Sequence, residues 1–321
     1  MAKLITVCGA TGGVGGSVAR RMLKEGWSVR AITRNTESPA AKALIEAGAE
    51  LASANYDDVA SLERVFKDTQ AVFGITNIFE YLLEKSPEDA AEREKQQLVN
   101  IATAAQNIPT LEHLVLHSLP AGEKLAGKGN FVPHMDGKDQ AVDIIKETLP
   151  SVAKKTTFLW IGFFTSNFYN HPMSKPVEVP NTNGSRVFIQ PIPPSLHIYY
   201  AGDVEHNAGI FVNAILKNPA VSLPAKYAFL YTSQGSMQQY LQAWIDVTRR
   251  RTTFVTVSLD EYEQIWGPYG KEIGSMLKAF EPINDWTKPY QPDVIAAKDL
   301  GIAEDELVDL KAALEINKAL L

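Results

Sequence analysis

One stretch, Gly9-Ala10-Thr11-Gly12-Gly13-Val14-Gly15-Gly16, constrains this chain more than any other. It follows directly on an apolar run, Leu4 to Cys8, and leads into a segment with helical spacing, Ser17 to Lys24. Glycines at 9, 12 and 15 give a G-x-x-G-x-x-G pattern. Glycine is needed where a backbone turns tightly and where a side chain would collide with phosphate. A helix opening on such a loop offers free backbone N–H groups and its positive dipole end to a pyrophosphate. A glycine cluster alone is weak evidence. Here a strand before it, a helix after it and a second strand from Ser28 to Thr33 supply the context of a dinucleotide-binding turn. Gly9, Thr11, Gly12, Gly13, Val14 and Gly15 are therefore the candidate phosphate cradle.

The same rhythm continues through the first half. Strands are predicted at Glu50 to Ala54, Ala71 to Ile75, His113 to Ser118 and Thr157 to Trp160. Helices are predicted near Pro39 to Ala47, Val59 to Phe66, Pro87 to Gln106 and Met135 to Glu147. Strands alternating with helices through right-handed crossovers predict an α/β fold, a Rossmann doubly wound parallel sheet. Past residue 160 the rhythm breaks. Six prolines between Pro172 and Pro194 mark loops or short edge strands. Amphipathic segments follow near Val204 to Leu216, Met237 to Thr248, Asp260 to Phe280 and Glu304 to Leu320. The expected organisation is a dinucleotide-binding domain over 1–160 and a smaller, mostly helical substrate lobe over 161–321, intertwined with it.

Composition excludes several classes. Of 321 residues, 45% are hydrophobic and 21% charged, an ordinary globular balance. A net charge of −6 gives no global attraction for nucleic acid, and Arg249-Arg250-Arg251 is too short a basic run to track a phosphate backbone. The single cysteine, Cys8, rules out a disulfide within the chain and suits a buried strand end. No leader pattern or membrane-length apolar stretch is present, so a cytoplasmic protein is expected. The six histidines show no metal-ligand spacing, and no G-x-S-x-G elbow supports hydrolase chemistry.

The end of the second strand selects the cofactor. NAD sites place a carboxylate there for the ribose 2′-hydroxyl. This chain has Thr33-Arg34-Asn35 instead. An arginine fork pairs with a 2′-phosphate that a carboxylate would repel. Arg34 and Asn35 therefore point to NADP(H). Asn55 and Tyr56 close the third strand, where an adenine ring would rest, and Thr76 and Asn77 close the fourth, near the nicotinamide ribose.

Four stretches resemble the NmrA-like family, atypical members of the short-chain dehydrogenase/reductase superfamily. They are Gly9 to Gly26, Val29 to Asn35, Ala71 to Glu80 and Val132 to Glu147, with weaker likeness at Val257 to Ile265. The family holds NADP(H)-dependent reductases, isoflavone-reductase relatives among them, and also redox sensors that bind dinucleotide and regulate a partner without turnover. Ordinary members of the superfamily use Tyr-x-x-x-Lys, whose spacing sets both side chains on one helical face. The matching positions here are His134-Met135-Asp136-Gly137-Lys138, so histidine replaces tyrosine. The resemblance implies that Lys138 anchors the nicotinamide ribose and relays protons. His134 reads either as a general acid, its reference pKa of about 6.5 being near neutrality, or as a structural remnant, hydrogen-bonded near the helix start. Ser118 ends the fifth strand, where the superfamily often places a hydroxyl near substrate. The stretch after the sixth strand lines the cleft in family members, which implies cofactor contact for Phe164 and substrate contact for Phe163, Asn167 and Phe168; equally, Phe163, Phe164 and Phe168 read as plain domain-interface core, the commoner fate of clustered aromatics. Phe79, in the third matching stretch, joins them as a substrate contact.

Three functions follow. The first is reduction of a carbonyl, enone or imine of a medium-sized metabolite at the expense of NADPH. The second is a non-catalytic sensor with a protein partner, favoured by loss of the tyrosine. The third is a redox-neutral, acid-catalysed rearrangement on the same scaffold.

Overall fold

The computed structural model describes residues 2–82 and 84–321. In chain order the first half runs β1 (Leu4–Val7), α1 (Gly13–Lys24), β2 (Ser28–Ile32), α2 (Pro39–Glu46), β3 (Glu50–Ala52), α3 (Val59–Phe66), β4 (Ala71–Gly74), α4 (Pro87–Gln106), β5 (His113–His117), α5 (Gly122–Ala126), α6 (Pro133–Thr148), α7 (Pro150–Ala153) and β6 (Thr156–Ile161). The remainder supplies β7 (Phe163–Phe164), α8 (Asn167–Asn170), β8 (Val177–Glu178), β9 (Arg186–Gln190), β10 (His197–Gly202), α9 (Val204–Lys217), α10 (Pro219–Ser222), β11 (Tyr227–Leu230), β12 (Ser233–Ser236), α11 (Met237–Thr248), β13 (Thr252–Thr256), α12 (Leu259–Phe280), β14 (Val294–Ile295) and α13 (Leu310–Ile316).

Among the described residues the central sheet has eight strands in the order β14-β11-β6-β5-β4-β1-β2-β3. Its pairings are parallel throughout. Helices cover both faces, so β4, β5 and β6 are buried at every position. One core gathers Leu98, Ile101, Leu114, Val142 and Ile145 from α4, β5 and α6. The other gathers Val7, Val18, Met22, Ala208 and Phe211 from β1, α1 and α9. The chain reverses direction across the sheet between β1 and β4, which opens a crevice at the carboxyl ends of these strands.

Residues past 160 contribute more strands than their patterning announces. β11 and β14 extend the central sheet, while β7, β10 and β12, and β8, β9 and β13, form two smaller sheets. The polar Ser233-Gln234-Gly235-Ser236 has no apolar alternation to reveal it; its pairing with β10 makes it a strand. The amphipathic segment near Asp260 to Phe280 is helical but kinked at Gly267, whose φ is +67°, with Pro268 beyond it. The terminal segment is shorter than its pattern: Asp309 caps α13 by accepting from the Ala312 N–H, so the regular helix begins at Leu310 rather than near Glu304.

Candidate functional site

The carboxyl ends of the strands open into a cavity of about 1030 Å³, walled by both halves of the chain. At one end lies the glycine loop. Gly9 takes φ = +60°. A Cβ on Gly15 would lie 2.3 Å from the Gly9 carbonyl oxygen, so only glycine lets α1 start this close to β1. Gly12 caps α1 without a side-chain hydrogen bond. The first N–H groups of the helix thus have no intrahelical partner, and Gly12, Gly13, Val14 and Gly15 line the cavity with Gly9 and Thr11. That cradle fits a diphosphate. Glu205, from the first turn of α9, leans against Gly13, a neighbour no local pattern reveals.

Beside the cradle, Arg34 follows β2 and lines the cavity. Its guanidinium meets the Glu80 carboxylate fork on fork, Nη1 to Oε2 at 2.5 Å and Nη2 to Oε1 at 2.8 Å. This pairing, and secondarily the nearby charge, holds the Arg34 pKa above its ordinary value. Asn55 and Tyr56 line the same end. The Tyr56 hydroxyl reaches beneath the loop and accepts from the Gly9 N–H at 3.0 Å. Arg93, from α4, donates to Asp57 at 2.7 Å and lies over the Tyr81 ring. Asn35 is a correction: it is exposed and lies outside the cavity, its side chain accepting from the Glu37 N–H in a local turn.

At the other end, α6 brings His134 and Lys138 to the wall together, one turn apart. Both are buried. Lys138 Nζ donates to Glu94 Oε1 at 2.5 Å and to Thr76 Oγ1 at 3.1 Å. Thr76 in turn donates to Glu94 at 3.0 Å, closing a three-membered network. Among the described residues Glu94 Oε2 has no hydrogen-bond partner. His134 Nδ1 meets Glu272 Oε1 at 2.7 Å, and the same oxygen accepts from the His134 backbone N–H at 3.0 Å. Glu272 comes from α12 and is 2% exposed. With a carboxylate at Nδ1, that nitrogen carries the hydrogen and Nε2 is left for the cavity. Nearby, burial first and the Lys138 and His134 charges second push His117 well below the usual imidazole range, so it stays neutral.

Aromatic side chains wall this end. Phe79 stacks on Tyr269 at 5.8 Å and stands 6.1 Å from His134, ring centre to ring centre. Its position follows from Asn77, which accepts from the Phe79 N–H and caps the turn after β4. Asn77, Phe163, Phe164 and Asn167 also line the cavity. From the far half, Met276, Phe280 and Trp286 complete the wall. Two further residues are corrections. Ser118 is fully buried outside the lining, because strand alternation turns its neighbours His117 and Leu119 to the cavity. Phe168 is core, stacked on Tyr240 at 4.2 Å. Among the described residues no cluster of His, Cys, Asp or Glu is arranged to hold a metal ion, and no helix is long and apolar enough to cross a membrane.

A parallel sheet with a glycine cradle and a His-x-x-x-Lys turn on one cavity define a Rossmann-type α/β protein. The chain belongs to the NmrA-like family, whose model matches residues 1–319. An NmrA-like family domain-containing protein of Dictyostelium discoideum is 24% identical over 283 residues, 87% of this chain and 88% of that one. An NmrA-like family domain-containing oxidoreductase of Aspergillus japonicus is 28% identical over 270 residues, 80% of this chain and 76% of that one. Among solved structures, NmrA, a negative transcriptional regulator in complex with NADP, superposes with a TM-score of 0.76 at 19% identity, over 98% of this chain and 94% of that one. At that identity the likeness carries the fold.

Proposed function

We propose that the protein is an NADP(H)-dependent reductase acting on a carbonyl, enone or imine of a medium-sized metabolite. The observation that carries this reading is the placement of His134. Its Nδ1 is held by a buried carboxylate while its ring lines the cavity that begins at the glycine cradle. The neighbouring Aspergillus relative is named an oxidoreductase, and the NmrA structure with NADP supports the cofactor.

On this reading the cradle holds the diphosphate, Arg34 takes the 2′-phosphate, and Lys138 holds the nicotinamide ribose. A bound reduced nicotinamide supplies the hydride. His134 carries at Nε2 the proton that the substrate oxygen or nitrogen receives, and Glu272 stabilises the imidazolium before transfer. Glu94 balances the Lys138 charge in the buried wall. The apolar wall of Phe79, Phe163, Met276 and Phe280 suits a bulky, uncharged substrate.

The test is calorimetry with NADPH, followed by NADPH absorbance and mass spectrometry with a panel of quinones, enones and cyclic imines. A reductase consumes NADPH stoichiometrically with product, and His134→Phe lowers kcat by about 10²–10⁴-fold with NADPH affinity unchanged. Product without net loss of NADPH indicates the rearrangement. Tight NADPH binding without turnover of any acceptor indicates the sensor, the reading that the shared fold with the regulator NmrA favours. Absence of any heat with NADPH overturns the cofactor reading itself.

A further inference from the structure

The guanidinium that a 2′-phosphate needs is already engaged. Both terminal nitrogens of Arg34 face both carboxylate oxygens of Glu80, the same fork-on-fork geometry a phosphate would use. Glu80 is fixed where it stands. It ends the turn that Asn77 caps just after β4, and the Asn77 amide leans toward its Oε1 at 3.5 Å. The second arginine at this end, Arg93, is engaged side-on, through Nε and Nη2, by Asp57, which Gln97 also holds. Among the described residues both guanidinium groups that line the adenosine end of the cavity are therefore paired. Of the two pairs, Arg34–Glu80 is the one open to exchange: the Arg34 side chain is 75% exposed, against 38% for Arg93.

We propose that Glu80 sets the preference between phosphorylated and unphosphorylated adenosine ribose, by competing with the 2′-phosphate for Arg34 and repelling it once bound. The inference rests on the reading of the cavity as an NADP(H) site. A carboxylate placed here weakens NADP(H) selectively, because NAD(H) has no group that must displace it. Arginine alone, read from the sequence, overstates the preference for the phosphorylated cofactor.

The experiment is calorimetric titration of the full-length protein with NADPH, NADH, adenosine 2′,5′-bisphosphate and AMP. It uses wild type, Glu80→Gln, Glu80→Ala, Arg34→Ala and the Arg34→Ala/Glu80→Gln double variant. Both Glu80 variants tighten NADPH and the bisphosphate by about three- to tenfold, the scale of an exposed ion pair plus a lost repulsion. NADH and AMP stay within about twofold. The gain disappears in the Arg34→Ala background and shrinks as salt rises. Glu80 variants that leave NADPH affinity unchanged, weaken it, or tighten NADH equally overturn the proposal, the second result showing that Glu80 aims Arg34 rather than competes for it. A wild-type protein that binds neither dinucleotide overturns the NADP(H) reading and the proposal with it.

Discussion

At the scale of single residues, the site is organised by carboxylates behind cations. Lys138 is 3% exposed, and an ammonium at that depth needs a partner. Glu94, itself fully buried, supplies it. Removing one member of such a pair leaves the other uncompensated, at a cost of about 3–5 kcal/mol, whereas replacing both by apolar groups is often nearly neutral. Glu94→Leu is accordingly expected to lower the unfolding free energy in urea by that amount, and Lys138→Met added to it to restore most of the loss. A double variant no more stable than Glu94→Leu argues against a buried ion pair. A trace of Glu94 is visible in the sequence. Ala91, Glu94, Leu98, Ile101 and Ala105 repeat at helical spacing, so one charged residue interrupts an apolar stripe. Glu272 left no such trace, because it lies 138 residues from the histidine it serves.

At the scale of elements, the β1–α1 turn is the part most tightly specified by local chemistry. Gly15 has the Gly9 carbonyl where a side chain would start. Gly15→Ala must push α1 away from β1. It is expected to cost about 1–3 kcal/mol in stability and to weaken NADPH by more than tenfold, read by urea unfolding and calorimetry together. Unchanged affinity in a folded Gly15→Ala protein would show that the loop does not grip the diphosphate. Helices with strong punctuation were legible to the residue: α3 starts after Asp58 and α4 after Ser86, each side chain accepting a first-turn N–H. The strands of the second half were not. β12 and β13 are polar or mixed, and their partners β10 and β9 come from remote parts of the chain.

At the scale of the whole molecule, burial of histidines in the sheet makes stability depend on pH. His113 in β5 is pushed down to about 4 by burial. Its Nε2 donates to Thr157 Oγ1, since that hydroxyl gives its own hydrogen to the Ser222 carbonyl. A folded-state pKa below the unfolded one means the stabilisation is present above about pH 6.5 and lost as pH falls toward about 4. The loss attributable to His113 is about 3 kcal/mol, and His117 adds to it in the same direction. Urea unfolding at about pH 7 and about pH 4.5 should show this drop, and His113→Gln should flatten it. An equal slope in wild type and variant would assign acid sensitivity elsewhere.

The amino-acid sequence by itself determined the first six strands of the parallel sheet and the glycine cradle, because each depends on neighbours within one turn or one strand, and the family resemblance added the pairing of residues 134 and 138 on one helix face. Only the tertiary structure decided what those groups touch. It set Glu80 on Arg34, Glu94 on Lys138 and Glu272 on His134, and turned Ser118 away from the cavity. The reason is physical: backbone geometry is local and leaves a pattern, whereas the partner of a buried charge is whichever distant element the packing of the sheet brings within hydrogen-bonding reach.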